Sequence, residues 1–209
     1  MNSKLILIPC TALAILFSSI NSFAGDKNWV ATNNPSGRSG LRFSIAYTAG
    51  VHNGDVKSIQ GMLVTDQDNN LSSARVEVPI EAMVTGDLSR DCHMRESLGI
   101  DYTASRFPNE HVCDRNNRTP DTGADSVVFS KIIFDFTGFQ SAPATDLTLA
   151  QTVLVNGTLT IHGQTRAITG LPLTVQKITN ANGSSALRVQ GNFNLSLKNY
   201  QVIVKPFKF

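Results

Sequence analysis

The chain has 209 residues, 18 basic and 16 acidic, for a formal charge of +2, and 41% of it is hydrophobic. A balance this even, with no block of like charge, argues against electrostatic capture of nucleic acid or anionic lipid as the working principle. The length suits one ordinary domain with a sizeable core.

The chain opens with Met1 to Lys4 and an apolar run, LILIPCTALAILF, from Leu5 to Phe17, followed by SSINSFAGD. One positive charge, a short apolar core and small residues at Ser22 and Ala24 read as a secretory signal peptide over residues 1–24, cut after Ala24. The mature chain is then residues 25–209, destined for the periplasm or secretion. The apolar run is shorter than the about 20 residues that a bilayer span needs. No later stretch is long and apolar enough, so no integral membrane segment is expected in the mature chain. Cys10 follows a proline and precedes most of the apolar run, which argues against lipidation. Cys92 and Cys113 remain, and an even pair in an exported protein predicts a disulfide.

From Leu41 the pattern is strand-like. In LRFSIAYTA, Leu41, Phe43, Ile45 and Tyr47 alternate with Arg42, Ser44, Ala46 and Thr48. SIQGMLVTD and ARVEVPIEA follow, and later SVVFSKIIFDFTGF, TVLVNGTLTIHG, RAITGLPLTVQKI and ALRVQGNFNLSL. Each is a short β-branched or aromatic run of period two. The clusters HNGD, DQDNN, HGQT and NANGSS between them read as turns. Seven strands joined mostly by short hairpins predict an all-β antiparallel sandwich or barrel.

One segment breaks the pattern. TGDLSRDCHMRESLG carries Asp87 as N-cap and Gly99 as C′ stop, with Leu88/Cys92 and Met94/Leu98 each four apart. That predicts a short helix. The stretch IDYTASRFPNEHVCDRNNRTPDTGAD after it reads as loop. Neither an internal repeat nor an interdomain linker is evident.

A closed barrel of about eight strands has room for side chains or for one small ligand. Its inward positions would be Phe43, Ile45, Ile59, Leu63, Val76, Val78, Phe134, Phe136, Leu159, Ile161, Phe193 and Leu195, with Met94 and Leu98 of the helix packed against them. Gly61, Gly157 and Gly191 sit within strands, where glycine marks a bulge, a bend or a close approach. Two readings stay open at this point: an apolar ligand tunnel, or a core filled by its own side chains.

The polar cluster also has several readings. Cys92, His93, His111 and Cys113 could be four zinc or copper ligands. Helical geometry disfavours this, because adjacent residues point about 100° apart. Cys92 beside His93 or His111 could imitate a thiol–imidazole pair, but no third, orienting group is evident. G-x-S-x-G, H-E-x-x-H and phosphate-loop signatures are missing, so no enzyme is expected. The structural reading joins Cys92 to Cys113, closing a loop of about 22 residues worth about 3 kcal/mol. Arg90, Asp91 and His93 would then hydrogen-bond the helix to the barrel rim, either gating a ligand or merely covering the core.

Taken together, the motifs resemble those of the YceI-like family of bacterial exported lipid-binding proteins. The first strand RFSIAYTAGVHNG, then IQGMLVTD and ARVEVPIEAM, fit its order. So do the helix string Arg90-Asp91-Cys92-His93-Met94, the pair Phe107-Pro108, and VNGTLTIHGQTR from Val155 to Arg166. The last two are the most specific, and the resemblance covers nearly all of the mature chain. It implies a lipocalin-like barrel that holds a polyisoprenoid, a quinone or a similar lipid without chemistry. In it Arg90, Asp91 and His93 would face the head group, with no metal or other cofactor. Two features depart from the family pattern. The cysteine pair is one. The other is the end of the chain: the family continues past the element matched by Asn199-Tyr200 with a further strand, whereas QVIVKPFKF ends at Phe209. Either QVIV closes the barrel or one seam stays open, and an open edge invites pairing with another chain.

Overall fold

The computed structural model describes residues 13–20, 27–32, 40–47, 50–66, 70–101, 126–141, 146–180 and 182–203. In chain order the strands are β1 (Leu13–Ile20), β2 (Lys27–Thr32), β3 (Arg42–Tyr47), β4 (Gly50–Val56), β5 (Gln60–Thr65), β6 (Leu71–Pro79) and β7 (Met83–Val84). Helix α1 (Leu88–Leu98) follows, then β8 (Ile100–Asp101), β9 (Ser126–Val127), β10 (Lys131–Ser141), β11 (Gln151–Ile161), β12 (Gln164–Thr179) and β13 (Ser185–Gly191). Eight of the strands close an antiparallel barrel in the order β1-β13-β12-β11-β10-β6-β5-β2. The remainder build a cap: a sheet β3-β4-β7, a short ladder β8-β9, and α1.

Period two carries the barrel, as the sequence predicts. Along β11, Val153, Val155, Gly157, Leu159 and Ile161 are buried and the residues between them are not. Threonines at 158 and 160 therefore face solvent while aliphatic neighbours face in. The register Gly61↔Val76, Val76↔Phe134 and Phe134↔Leu159 puts one apolar ring of residues on the inner face of four strands. Of the expected turns, HGQT and NANGSS are turns, and Asp66 and Asn70 at the ends of DQDNN are hydrogen-bonded to each other. His162 (φ 50°) and Gly163 (φ 70°) form a two-residue hairpin between Ile161 and Gln164, with both residues in the left-handed region that such turns require. Asp66 accepts from the Asn70 backbone N–H at 2.8 Å, and the Asn180 N–H donates to the Ser184 carbonyl at 2.8 Å.

Several elements differ from the sequence reading. HNGD is not a turn: His52 to Asp55 lie within β4, opposite Ile45 to Arg42. The glycine serves close packing, since a Cβ on Gly54 would sit 2.2 Å from the Phe43 ring. Phe43 and Ile45 belong to the cap sheet and not to the barrel wall, although both pack on the core that cap and barrel share. SVVFSKIIFDFTGF is two strands, with a break at Val128–Ser130. NFNLSL lies beyond the end of β13, so Phe193 is 40% exposed and lines nothing, while Leu195 packs on the core. Gln201 to Ile203, the described part of QVIV, do not close the barrel: Gln201 turns into the left-handed region and Val202 is buried without pairing in a strand. The closing strand is β1, within the segment read as leader. It runs antiparallel to both neighbours, from Leu13↔Gly191 to Ser18↔Ala186 on β13 and from Leu16↔Thr32 to Ile20↔Asn28 on β2.

Candidate functional site: the barrel interior and its cap

The interior has two characters. Toward β1, β2, β5 and β13 it is packed: Phe17, Trp29, Leu63 and Leu187 are all at most 7% exposed, with Leu159 and Ile161 equally buried across from them. A buried polar pair in this region is satisfied, the Trp29 indole N–H donating to Thr65 Oγ1 at 3.0 Å.

The wall formed by β10, β11 and β12 is different. Phe136, Phe139, Leu173 and Val175 point inward, yet stay half-buried beside the fully buried Val153, Val155 and Leu171. Phe139 was missed in the sequence because simple alternation puts it on the opposite face from Phe136. A bulge between Phe136 and Gly138 resets the parity, pairing Phe136 with Gly157 and Phe139 with Val155. The two rings then meet edge to face, 5.0 Å apart. The TG pair within an otherwise apolar run was the available signal. Gly157 makes room for a third ring, because a Cβ there would lie 2.5 Å from Phe134. The result is an inner wall of aromatic rings and branched aliphatics that stays partly exposed.

Predicted lining residues Leu63, Val76, Val78, Phe134, Phe136, Leu159 and Ile161 all lie on barrel strands and face in; Ile59 is buried just before β5. The outer face is solvated. Arg75 bridges Glu77 and Asp135 at 2.9 Å each, and Lys131 adds a hydrogen bond to Glu77. The Lys131 and Arg75 hydrogen bonds hold the Glu77 carboxyl below its ordinary range.

The cap is built on α1. Asp87 accepts from the Arg90 N–H at 3.0 Å as N-cap, and Gly99 ends the helix at φ 117°. Both ends match the sequence reading. Cys92, Met94 and Leu98 are buried at 0, 9 and 3% exposure and join the common core. Phe129 rivets the helix to the barrel: its ring lies over Gly99 and over Gly163 of the β11–β12 turn, and edge-on to His162 at 4.8 Å.

The polar residues divide. Asp91, 2% exposed, accepts from both the backbone N–H and the hydroxyl of Thr85 at 2.6 Å, so its carboxylate is spent inside the cap. Arg95 donates to the carbonyls of Glu81 and Met83. Arg90 and His93 are partly exposed, lying 3.5 Å from Asp87 and Glu96 respectively. Partial burial lowers the pKa of His52 on β4, and Arg90 adds to the effect. An open cleft of about 490 Å³ runs between the β3–β4 hairpin and the β7–α1 link, lined by Arg42, Phe43, Ser44, Asn53, Asp55, Lys57 and Thr85 among others.

Of the four candidate metal ligands, Cys92 faces the core and His93 the surface near Glu96, so the helix splits them as its geometry requires. His111 and Cys113 lie outside the described residues. Among the described residues no group of three or more His, Cys, Asp or Glu is placed to hold a metal ion. None of the described helices is long and apolar enough to cross a membrane.

A family model described as "YceI-like domain" matches residues 33–208. No curated protein matches the chain. Among solved structures, a YceI protein from Campylobacter jejuni that crystallises with large solvent channels is 13% identical, with a TM-score of 0.42 over 68% of this chain and 81% of that one. The family match begins after β2, and so takes in the cap and six of the eight barrel strands, leaving β1 and β2 outside it. With 176 of its residues inside that match, the chain belongs to the YceI-like family.

Proposed function

We propose that the protein binds a long apolar molecule, a polyisoprenoid, a quinone or a similar lipid, inside the barrel, and does no chemistry on it. The observation that carries this is the inner wall of β10–β12, where Phe136, Phe139, Leu173 and Val175 face inward and are only half-buried. Inward apolar surface left partly exposed is what a flexible hydrocarbon chain covers. Each methylene moved out of water contributes about 0.8 kcal/mol, so ten carbons suffice for tight binding with little specificity. Arg90 and His93, partly exposed on the cap, are the side chains available to a head group. Asp91 serves to fix the helix to Thr85.

The reading includes export: residues 1–24 act as leader, the working compartment is the periplasm or the exterior, and Cys92 pairs with Cys113. A second reading draws on the packed half of the interior, where Trp29, Leu63 and Leu159 leave no space. On it the core is filled throughout and the protein is a periplasmic interaction or stress module.

Organic extraction of the purified protein followed by mass spectrometry decides between them. The binding reading expects a stoichiometric apolar lipid. No co-purifying lipid, together with no uptake of added isoprenoids, would sink it.

A further inference from the structure

Along the inner face of β12 the side chains change character at one place. Leu171, Leu173 and Val175 alternate inward, and the next position in that row is Lys177. The register fixes its face: Lys177 lies directly opposite Leu187, which is 3% exposed in the core. Gln151, opposite Val175 on β11, shares that face, so this end of the wall is polar where the rest is apolar. It is the far end from the cap, since β12 starts at the His162-Gly163 hairpin that Phe129 covers. From Leu171 to Lys177 the row spans about 20 Å, at about 3.3 Å per residue.

Lys177 is partly buried, and among the described residues no carboxylate or carbonyl holds its ammonium. Cations at the cap end are engaged: Arg90 with Asp87, Arg95 with the Glu81 and Met83 carbonyls, and Arg166 with the Asn199 carbonyl. The Lys177 backbone N–H donates to the Leu147 carbonyl at 2.7 Å. The adjoining carboxylate of Asp146 is turned away, to the Thr148 N–H and hydroxyl at 2.9 and 2.7 Å. Lys27 stands at the same end of the barrel, but it has a partner of its own and is separated from Lys177 by β13 and the closing stave, β1. An inward ammonium has three donors to satisfy, and here it ends a half-exposed apolar row. We propose that Lys177 is the counter-ion for the head of the bound lipid, and that this lipid is a long-chain carboxylate whose tail lies along Phe136, Leu173 and Val175 toward the cap. One ammonium balances one negative charge, which favours a carboxylate over a diphosphate. The tail rests on the binding reading above. The charge of the head, and its seat at the opposite end from Arg90 and His93, rest on Lys177.

The test measures the affinity of the full chain for a fluorescent polyene fatty acid and for its methyl ester, which keeps the tail and removes the charge. The parent should bind the acid about tenfold or more tighter than the ester, the usual gain from a charge-assisted hydrogen bond in a partly solvated site. Lys177→Gln should bind the acid and the ester alike, at the parent's affinity for the ester. Lys177→Arg should restore the preference for the acid. Ester binding is the control for folding. Equal affinity of the parent for the two probes, or a preference that survives Lys177→Gln, overturns the proposal. So does a preference that Arg90→Gln abolishes instead, which puts the head on the cap. Loss of acid and ester binding together in both Lys177 variants makes the lysine structural and overturns it as well. An alkyl phosphate that binds more tightly than the carboxylate of the same chain length overturns the choice of head group. A parent that binds neither acid nor ester sinks the binding reading itself, so the two failures are distinguishable.

Discussion

Replacing Val175 with tryptophan tests the interior most directly. Val175 is an inward residue of β12, paired with Gln151 on β11 and Val189 on β13, and half-buried on the wall that carries the binding proposal. An indole projected from it takes up the length of about four or five methylenes of bound chain. At about 0.8 kcal/mol each that is roughly 3–4 kcal/mol, or a loss of a few hundredfold in affinity. If the space is there, the added ring fills it and stability moves little, within the about 1.5 kcal/mol typical of tolerated core changes. Leu159→Trp is the control. Leu159 is 4% exposed in the packed region, so extra volume there costs about 1–3 kcal/mol and lowers the melting temperature by about 2–12 °C. Titration with a fluorescent polyene fatty acid, alongside thermal unfolding of the same samples, reads both quantities. If Val175→Trp binds the probe like the parent, or destabilises as much as Leu159→Trp, the wall is ordinary core and the reasoning fails. Phe193→Trp should change neither, because that side chain lies outside the barrel.

Asp91→Ala strips a buried carboxylate from the Thr85 N–H and hydroxyl, and should cost about 3 kcal/mol in chemical denaturation; Asp91→Asn, which keeps an acceptor, should cost less. Equal loss in the two would mean the charge, and not the acceptor, holds the cap. His52 gives a pH signature. Its folded pKa lies below the unfolded value of 6.5, so its contribution is complete above that value and is lost as pH falls from there through the folded pKa. Unfolding midpoints measured between pH 8 and 5 should fall more steeply for the parent than for His52→Gln; parallel curves would refute the assignment.

Much of the barrel was legible because period two is a direct consequence of strand geometry and one-sided burial. β5, β6, β10, β11 and the hairpin at His162-Gly163 all follow from alternation and turn chemistry alone. The helix was legible for a similar local reason, with Asp87 and Gly99 at its ends. What escaped was non-local. Phe43 and Ile45 alternate like wall residues, but alternation says which face is apolar and not which sheet the strand joins. Phe139 escaped because one extra residue at a bulge reverses parity downstream. Asp91 reads as a rim or head-group residue until Thr85 is folded onto it. Phe129, in a break between strands, gains its role only when Gly99 and Gly163 come together beneath it. Apolar β-branched and aromatic residues also serve a leader and a stave equally well, so LAILFSSI carries both meanings and composition does not choose between them.

The cysteines make that choice measurable. The chain has three, and Cys10 stands three residues before the stave while Cys92 and Cys113 lie within the expected mature chain. Alkylation before and after reduction, read by intact mass, therefore reports on the leader and on the disulfide together. Export with a Cys92–Cys113 bond gives no alkylation before reduction and two labels after it. A retained stave with the same bond gives one label and then three. Two labels before reduction on a chain beginning at Gly25 would mean free thiols, removing the staple worth about 3 kcal/mol and reviving the metal or redox reading of Cys92, His93, His111 and Cys113. A retained stave would leave the barrel closed by its own N-terminal strand, and lipid would then have to enter past the cap or the opposite rim.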